Sequence, residues 1–290
     1  MIPLLGSMDT LTLQFTAQYY SLPGYLLALT VSMLGNPLLW FFITAYLYWK
    51  GNRSEAFNAM LLVLSASVAV GAMKSYFMRP RPSSQALTKL PSSIAKAAES
   101  FTRYSFPSGH SAIITSLYAY FRRQLEKRWK AALLLIALGV CISRLYLQAH
   151  YLSDVIAGIL LGLLLGEAVF RTKKRFGKKL HSLEYPHGKA GFATILAVLG
   201  GALWLQLPIL ALPPLGFFLG HFYSEHKKKH KEGFEWKKET VGFGCLAAIS
   251  ATALFTPSPI QEALFFTAGL WITLLYPRLY NRFLKKARRN

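Results

Sequence analysis

Long apolar blocks, separated by short polar and basic segments, are the dominant pattern along this chain of 290 residues. Several blocks approach the roughly 20 residues that a helix needs to cross the hydrocarbon core of a bilayer. Inside a bilayer no water is present to bond the backbone groups, so spanning segments are helical. The pattern therefore predicts an all-α fold, a polytopic transmembrane helical bundle of about nine spans.

The first part of the chain predicts a short amphipathic or irregular lead-in at 1–22, followed by five spans. The first span contains Gly35-Asn36-Pro37 in its middle, and a proline at that place should kink the helix. Three prolines stop the second span and open a long polar connection before the third. The five predicted spans cover residues 23–49, 57–77, 109–121, 131–147 and 152–170.

A basic segment at 171–189 separates these five spans from the rest of the chain and predicts a domain boundary. The chain is thereby divided into a five-span region at 1–170, a cytoplasmic linker at 171–189 and an appended region at 190–290. The appended region predicts four short spans, interrupted by prolines, and ends in a basic tail. These four spans cover residues 190–207, 209–223, 241–255 and 260–276.

The distribution of charge predicts the orientation of the protein. The chain has 33 Lys and Arg residues against 12 Asp and Glu, a formal net charge of +21. If the N-terminus is outside, nine spans put alternate polar segments and the C-terminal tail inside the cell, and these inside segments hold 26 of the 33 basic residues. The positive-inside rule then predicts a cytoplasmic C-terminus in a cell (inner) membrane. Membrane topology explains the charge, so we expect no nucleic-acid partner.

Two further features of the sequence limit the class of protein. Cys141 and Cys245 both lie within apolar blocks, which is typical of small core residues and predicts neither a disulfide nor a metal site. The first residues lack a basic segment before the apolar stretch, so we expect no cleaved signal peptide.

The segment FPSGHSA, at 106–112, carries the first candidate chemistry. Ser108 is a favourable N-cap residue for the third span, and the free N–H groups of a first helical turn attract anions. Gly109 allows an anion to approach the backbone closely, and His110 places a titratable group beside it. This segment predicts an anion-binding helix start.

Two other segments supply complementary groups. KSYFMRPRP contains Lys74 and Arg81, and SRLYLQAHYLSD contains Arg144, His150 and Asp154. The predicted topology places all three segments on the non-cytoplasmic side of the membrane. Cations around a transferring phosphoryl group, with a histidine beside a carboxylate, are what phosphoryl transfer requires. Ser143 is interpreted as a helix-terminating residue and is left out of the site.

The three segments resemble the three-part signature of the type 2 phosphatidic acid phosphatase superfamily, with all fixed positions present in the right order. The resemblance covers about 25–170 and implies a phosphatase core within residues 1–170. It implies that His150 attacks phosphorus and forms a phosphohistidine, that Asp154 orients His150, and that His110 protonates the leaving oxygen. It also implies a reaction without metal or other cofactor. The implied phosphate-binding residues are Lys74, Arg81, Ser108, Gly109 and Arg144.

The sequence therefore predicts an integral-membrane lipid phosphatase or diphosphatase whose site faces the outer leaflet. The expected partners are membrane lipids and a lipid phosphate substrate, such as undecaprenyl diphosphate, phosphatidylglycerol phosphate, phosphatidate or phosphorylated lipid A. Two alternatives stay open: a phosphotransferase that passes the phosphoryl group to a lipid or sugar, and a lipid transporter in which the phosphatase core is accessory. The oligomeric state cannot be predicted.

Overall fold

The computed structural model describes residues 2–82, 104–181, 208–224 and 236–280. Within these ranges the regular elements are helices, apart from one isolated β-bridge between Pro80 and Tyr104. The all-α prediction is confirmed. The helices are α1 (Ile2–Gln18), α2 (Leu22–Met33), α3 (Pro37–Trp49), α4 (Arg53–Phe77), α5 (Gly109–Phe121), α6 (Lys127–Tyr146), α7 (Leu152–His181), α8 (Pro208–Tyr223), α9 (Trp236–Phe255) and α10 (Ile260–Leu270), followed by a π-helical segment, Trp271–Leu275.

In the described part of the chain, three helices are long and apolar enough to cross a membrane: α4, α6 and the portion Leu152–Arg175 of α7. The bent pair α2 and α3 forms a fourth candidate span. These helices are those of a multi-pass membrane protein. The total of nine spans and the orientation stay predictions, and the predicted span at 190–207 lies outside the described residues.

The predicted kink in the first span is confirmed as a break between two helices. Helix α2 ends at Met33, α3 begins at Pro37, and the two helices are bent by 45°. The side-chain oxygen of Asn36 accepts a hydrogen bond from the N–H of Leu38 at 2.8 Å. Asn36 therefore satisfies a backbone donor in the first turn of α3, since the first N–H groups of a helix have no intrahelical acceptor.

The chain divides into two compact units, one of Met1–Leu39 and Ala69–Arg171, the other of Trp40–Val68 and Thr172–Asn290. The second unit has an aromatic core in which Tyr48 packs edge-on against Phe217, with ring centroids 5.7 Å apart. In the same unit the indole N–H of Trp49 donates to the carbonyl of Ile272 at 2.8 Å. The predicted division into a catalytic core, a linker and an appended region concerns function and stays a prediction.

In the first unit a stripe of glycines on α7 allows α5 to pack closely against it. The glycines are four residues apart, so they lie on one face of the helix. A Cβ atom at any of the three would overlap a backbone carbonyl oxygen of α5. This contact holds the beginnings of α5 and α7 together, and there the N–H of Ser108 donates to the carbonyl of Asp154 at 3.0 Å. The glycines are Gly158, Gly162 and Gly166, and the facing carbonyls belong to Ser108, Ala112 and Ser116.

Candidate active site

The beginning of α5 is the place where the sequence predicts an anion-binding element. The helix starts at Gly109 with Ser108 as its N-cap residue, although the Ser108 side chain makes no capping hydrogen bond. Instead, its hydroxyl lies 2.9 Å from that of Ser111, and Ser108 is fully buried. A Cβ on Gly109 would make only an ordinary contact, 3.5 Å from Val70 Cγ1, so packing does not require a glycine there. The open backbone suits a ligand that approaches the N–H groups of the first turn.

His150 and Asp154 form a buried pair at the beginning of α7. Their side chains are 2% and 0% exposed, and Nδ1 of His150 lies 3.6 Å from Oδ2 of Asp154. This separation is longer than a hydrogen bond, and catalytic hydrogen bonds are often long before substrate binds. The same Oδ2 accepts a hydrogen bond from the N–H of Tyr151 at 2.9 Å. Because α7 begins only at Leu152, the histidine lies just before the helix and the carboxylate in its first turn.

Three cations surround the two histidines. His110 interacts electrostatically with Arg144, His150, Lys74 and Arg81, so these groups form one cluster. Arg81 donates to the carbonyl of Ala149 at 2.9 Å, immediately before His150. The structure therefore brings together side chains from all three motifs. The catalytic and phosphate-binding roles of these residues stay predictions.

The surroundings of His150 favour its neutral form. Burial, and then the charges of Arg144, Arg81 and Lys74, lower the pKa of His150 well below its ordinary value. A neutral imidazole keeps the lone pair that a nucleophile needs. His150 is therefore favoured in its neutral form in the free protein at neutral pH.

We expect this lowered pKa to be visible in the pH dependence of kcat/KM, which reports the ionisation of the free enzyme. If His150 is the nucleophile, its protonation stops the reaction, so the rate falls on the acidic side, as pH drops through the folded-state pKa. That limb should lie below about pH 6.5, the ordinary value for histidine. The measurement is kcat/KM against pH, on a substrate whose own ionisations have been titrated and subtracted. An acidic limb above pH 7 contradicts the prediction.

Several polar residues around the site were not assigned from the sequence. Arg144 donates to the hydroxyl of Ser32 in α2 at 2.6 Å. Arg79 donates to Asp154 at 2.8 Å and to Asp9 of α1 at 2.7 Å. One signal was present, because Asp9 is the only charged residue among the first 49. An isolated serine such as Ser32 in an apolar helix carries no comparable signal.

Two other sequence interpretations concern Ser143 and metal. The Ser143 hydroxyl donates to the carbonyl of Val140 at 2.7 Å, inside its own helix, which agrees with its omission from the site. In the residues that the structure describes, no three His, Cys, Asp or Glu side chains are grouped so that they could hold a metal ion. A metal-independent reaction stays a prediction.

Comparison with known proteins agrees with this geometry. Residues 55–178 match the model of the PAP2 superfamily, and all the motif residues lie within this segment. The match confirms the resemblance to the type 2 phosphatidic acid phosphatase superfamily that the three motifs indicate. No solved structure matches the chain.

Three curated proteins of similar sequence illustrate the range of relatives. Dolichyldiphosphatase of Saccharomyces cerevisiae is 28% identical over 169 residues, which are 54% of this chain and 63% of the yeast protein. Phosphatidylglycerophosphatase B of Bacillus subtilis is 40% identical over 87 residues, 27% of this chain and 41% of that protein. Sphingosine-1-phosphate phosphatase 1 of Rattus norvegicus is 31% identical over 160 residues, 51% of this chain and 35% of that protein. The chain thus spans less than two thirds of each of these relatives.

Proposed function

We propose that this chain is an integral-membrane lipid phosphatase or diphosphatase that works through a phosphohistidine on His150. The observation that carries the proposal is the grouping of three cations, two histidines and one carboxylate in the first compact unit. Fixed cations stabilise the negative charge of a transferring phosphoryl group without reorganisation. The apolar helices α4, α6 and α7 are long enough to cross a membrane, where the protein would meet a lipid phosphate.

In the first step a ring nitrogen of His150 attacks phosphorus. A P–N bond forms while the bond from phosphorus to the leaving oxygen breaks. His110, which takes up a proton when the negatively charged phosphate binds beside it, gives that proton to the leaving oxygen. Lys74, Arg81 and Arg144 bind the phosphoryl oxygens, with Arg suited to bidentate contacts. Asp154 accepts a hydrogen bond from the Nδ1–H group of His150 and stabilises the positive charge that develops on the ring.

In the second step water attacks the phosphorus of the phosphohistidine. His110, now deprotonated, takes a proton from the water, the P–N bond breaks, and inorganic phosphate leaves with His150 restored. The residues named for these two steps carry enough positive charge that no metal is needed for the chemistry.

The substrates named for the relatives include both a lipid diphosphate and lipid monophosphates. Undecaprenyl diphosphate, phosphatidylglycerol phosphate, phosphatidate and lipid A phosphate are therefore all candidates here. Most basic residues fall in segments predicted on the side of the membrane opposite to the three motifs. By the positive-inside rule that side is cytoplasmic, which supports a site on the extracytoplasmic face of the cell membrane.

The test is phosphate release by the purified full-length protein from a panel of these four lipids, with and without a strong chelator. We expect release from at least one lipid to survive the chelator, because Lys74, Arg81 and Arg144 supply the charge that a metal would otherwise bring. Loss of release in the chelator, restored by a divalent ion, contradicts the metal-independent mechanism. Transfer of phosphate to an added alcohol without release to water identifies a phosphotransferase instead.

A further inference from the structure

Arg79 joins two buried carboxylates that are far apart in the sequence. One nitrogen of its guanidinium group, Nη1, donates to Oδ1 of Asp154 at 2.8 Å and to the hydroxyl of Ser153 at 2.6 Å. The other, Nη2, donates to Oδ2 of Asp9 at 2.7 Å. The guanidinium carbon also lies 4.0 Å from the ring centroid of Tyr151. Arg79 is therefore held from several sides between the N-terminal helix and the carboxylate that faces His150.

Asp9 is an unusual residue for its helix. It is the only charged residue among the first 49, yet it is only 4% exposed. A carboxylate is buried at a considerable cost unless it is paired and hydrogen-bonded. Its Oδ1 accepts from the N–H of Ser153 at 2.9 Å, and its Oδ2 accepts from the Ser153 hydroxyl at 2.7 Å. The bonds of Asp9 thus all lead to Arg79 and to the residue directly before Asp154.

The opposite face of α1 is apolar and exposed. Met8, Leu11 and Phe15 are each about half exposed or more, and their spacing puts them along one side of the helix. The helix therefore directs its only charge towards the candidate site and its large apolar side chains away from it.

The contact with Arg79 fixes the rotation of the Asp154 carboxylate. Arg79 binds Oδ1, while the N–H of Tyr151 binds Oδ2, and this second oxygen is the one that faces Nδ1 of His150. Asp154 is fully buried, so without Arg79 its charge would lose its ion-pair partner. A buried carboxylate in that state takes up a proton or turns towards another donor.

We propose that Arg79 and Asp9 are positioning residues for the phosphatase reaction, and that they act through Asp154 on His150. Arg79 aims the carboxylate, and Asp9 holds Arg79 and the backbone of Ser153 in place. Neither side chain is required to touch the phosphate. This inference rests on the proposed function, because the orientation of His150 matters only if His150 reacts.

The first experiment measures kcat and KM of full-length Arg79→Gln and Asp9→Asn on the lipid that the wild-type protein hydrolyses. We expect kcat to fall about 10- to 100-fold, the usual effect of removing a group that orients a reactive histidine, while KM changes little. The matched control is Arg123→Gln, which breaks a pair with Glu167 at 3.2 Å through a side chain that is 46% exposed. The control should keep the wild-type kcat.

A double-mutant cycle distinguishes positioning from a merely structural role. If Arg79 acts through Asp154, then Arg79→Gln in an Asp154→Asn background should cause no further loss of kcat. Arg79→Lys, which keeps the charge, should recover part of the lost rate. Effects of Arg79→Gln and Asp154→Asn that multiply overturn the proposal. Should Arg79→Gln fail to fold, as judged by its melting temperature, the same cycle with the nearly isosteric Asp9→Asn carries the test.

The proposed function can fail separately from this inference. A wild-type protein that releases phosphate and forms an acid-labile phosphoenzyme, lost in His150→Ala, supports the proposed function. With that result in hand, an unchanged kcat in both Arg79→Gln and Asp9→Asn overturns the positioning role alone. A wild-type protein that forms no phosphoenzyme overturns both proposals.

Discussion

His150→Ala should abolish phosphoenzyme formation on every substrate and reduce turnover by about 10⁴- to 10⁶-fold, the loss that follows removal of a catalytic nucleophile or its partner. The physical reason is that alanine offers no lone pair to phosphorus. Phosphate binding should persist, because Lys74, Arg81 and Arg144 remain. The expected pattern is a large loss of kcat with an affinity for inorganic phosphate close to that of the wild-type protein.

The measurement is acid quenching of the full-length protein during turnover of labelled lipid, followed by a test of the trapped phosphate for the acid lability of a P–N bond. The matched variant is Ser143→Ala, since Ser143 lies in the third motif but its hydroxyl donates to the carbonyl of Val140 in its own helix. Ser143→Ala should form phosphoenzyme at the wild-type rate. Acid-labile labelled phosphate trapped on the His150→Ala protein would refute His150 as the nucleophile.

The grouping of the motif residues could be predicted from the sequence because each motif lies at the end of an apolar block. Lys74 is in the last turn of α4, Ser108 is the residue directly before α5, and Arg144 is in the last turn of α6. Once alternate spans are placed in a membrane, these ends must share one side. The start of α5 and the break before Pro37 followed from local chemistry, an N-cap serine and a proline.

The network around Asp154 could not be predicted, because it depends on contacts between distant segments. Asp9 is visibly exceptional in the sequence, but nothing near it indicates that Arg79 is its partner. The pair between Arg144 and Ser32 is of the same kind. Such bonds are decided by how α1, α2 and α6 pack, and packing is not encoded in the spacing of residues along one helix.

Helix ends that lie beyond the apolar blocks were also difficult to predict. The fifth span was predicted to end at residue 170, yet α7 continues to His181. Lys and Arg are good helix formers, so a basic segment ends a membrane span without ending its helix. Likewise, the π-helical segment Trp271–Leu275 follows α10 directly, although its own five residues include neither proline nor glycine.

Substitution of His110 should have a different effect on the reaction from substitution of His150. If His110 only protonates the leaving oxygen, His110→Ala should lower the rate on a lipid substrate by about 10²- to 10⁴-fold, because an alkoxide leaves poorly without a proton. On a nitrophenyl phosphate the first step, measured as the initial release of nitrophenolate, should be slowed little, since nitrophenolate is stable without a proton. Phosphoenzyme should still form on that activated substrate, and it should accumulate, because His110 is also the base that activates water in the second step.

The deciding measurement is the first-step rate of both alanine variants, taken from the initial release of the leaving group, against the pKa of that group, with phosphoenzyme trapped in parallel. In a plot of the logarithm of this rate against leaving-group pKa, the His110→Ala values should fall steeply as the pKa rises and should approach the wild-type values at low pKa. The His150→Ala rate should stay near background throughout. His110 and His150 interact electrostatically and share the same three cations, so general differences in charge cannot produce this contrast. If His150→Ala forms phosphoenzyme while His110→Ala forms none on the nitrophenyl substrate, the two roles are reversed. The carboxylate beside His150 would then have to be explained as a structural partner.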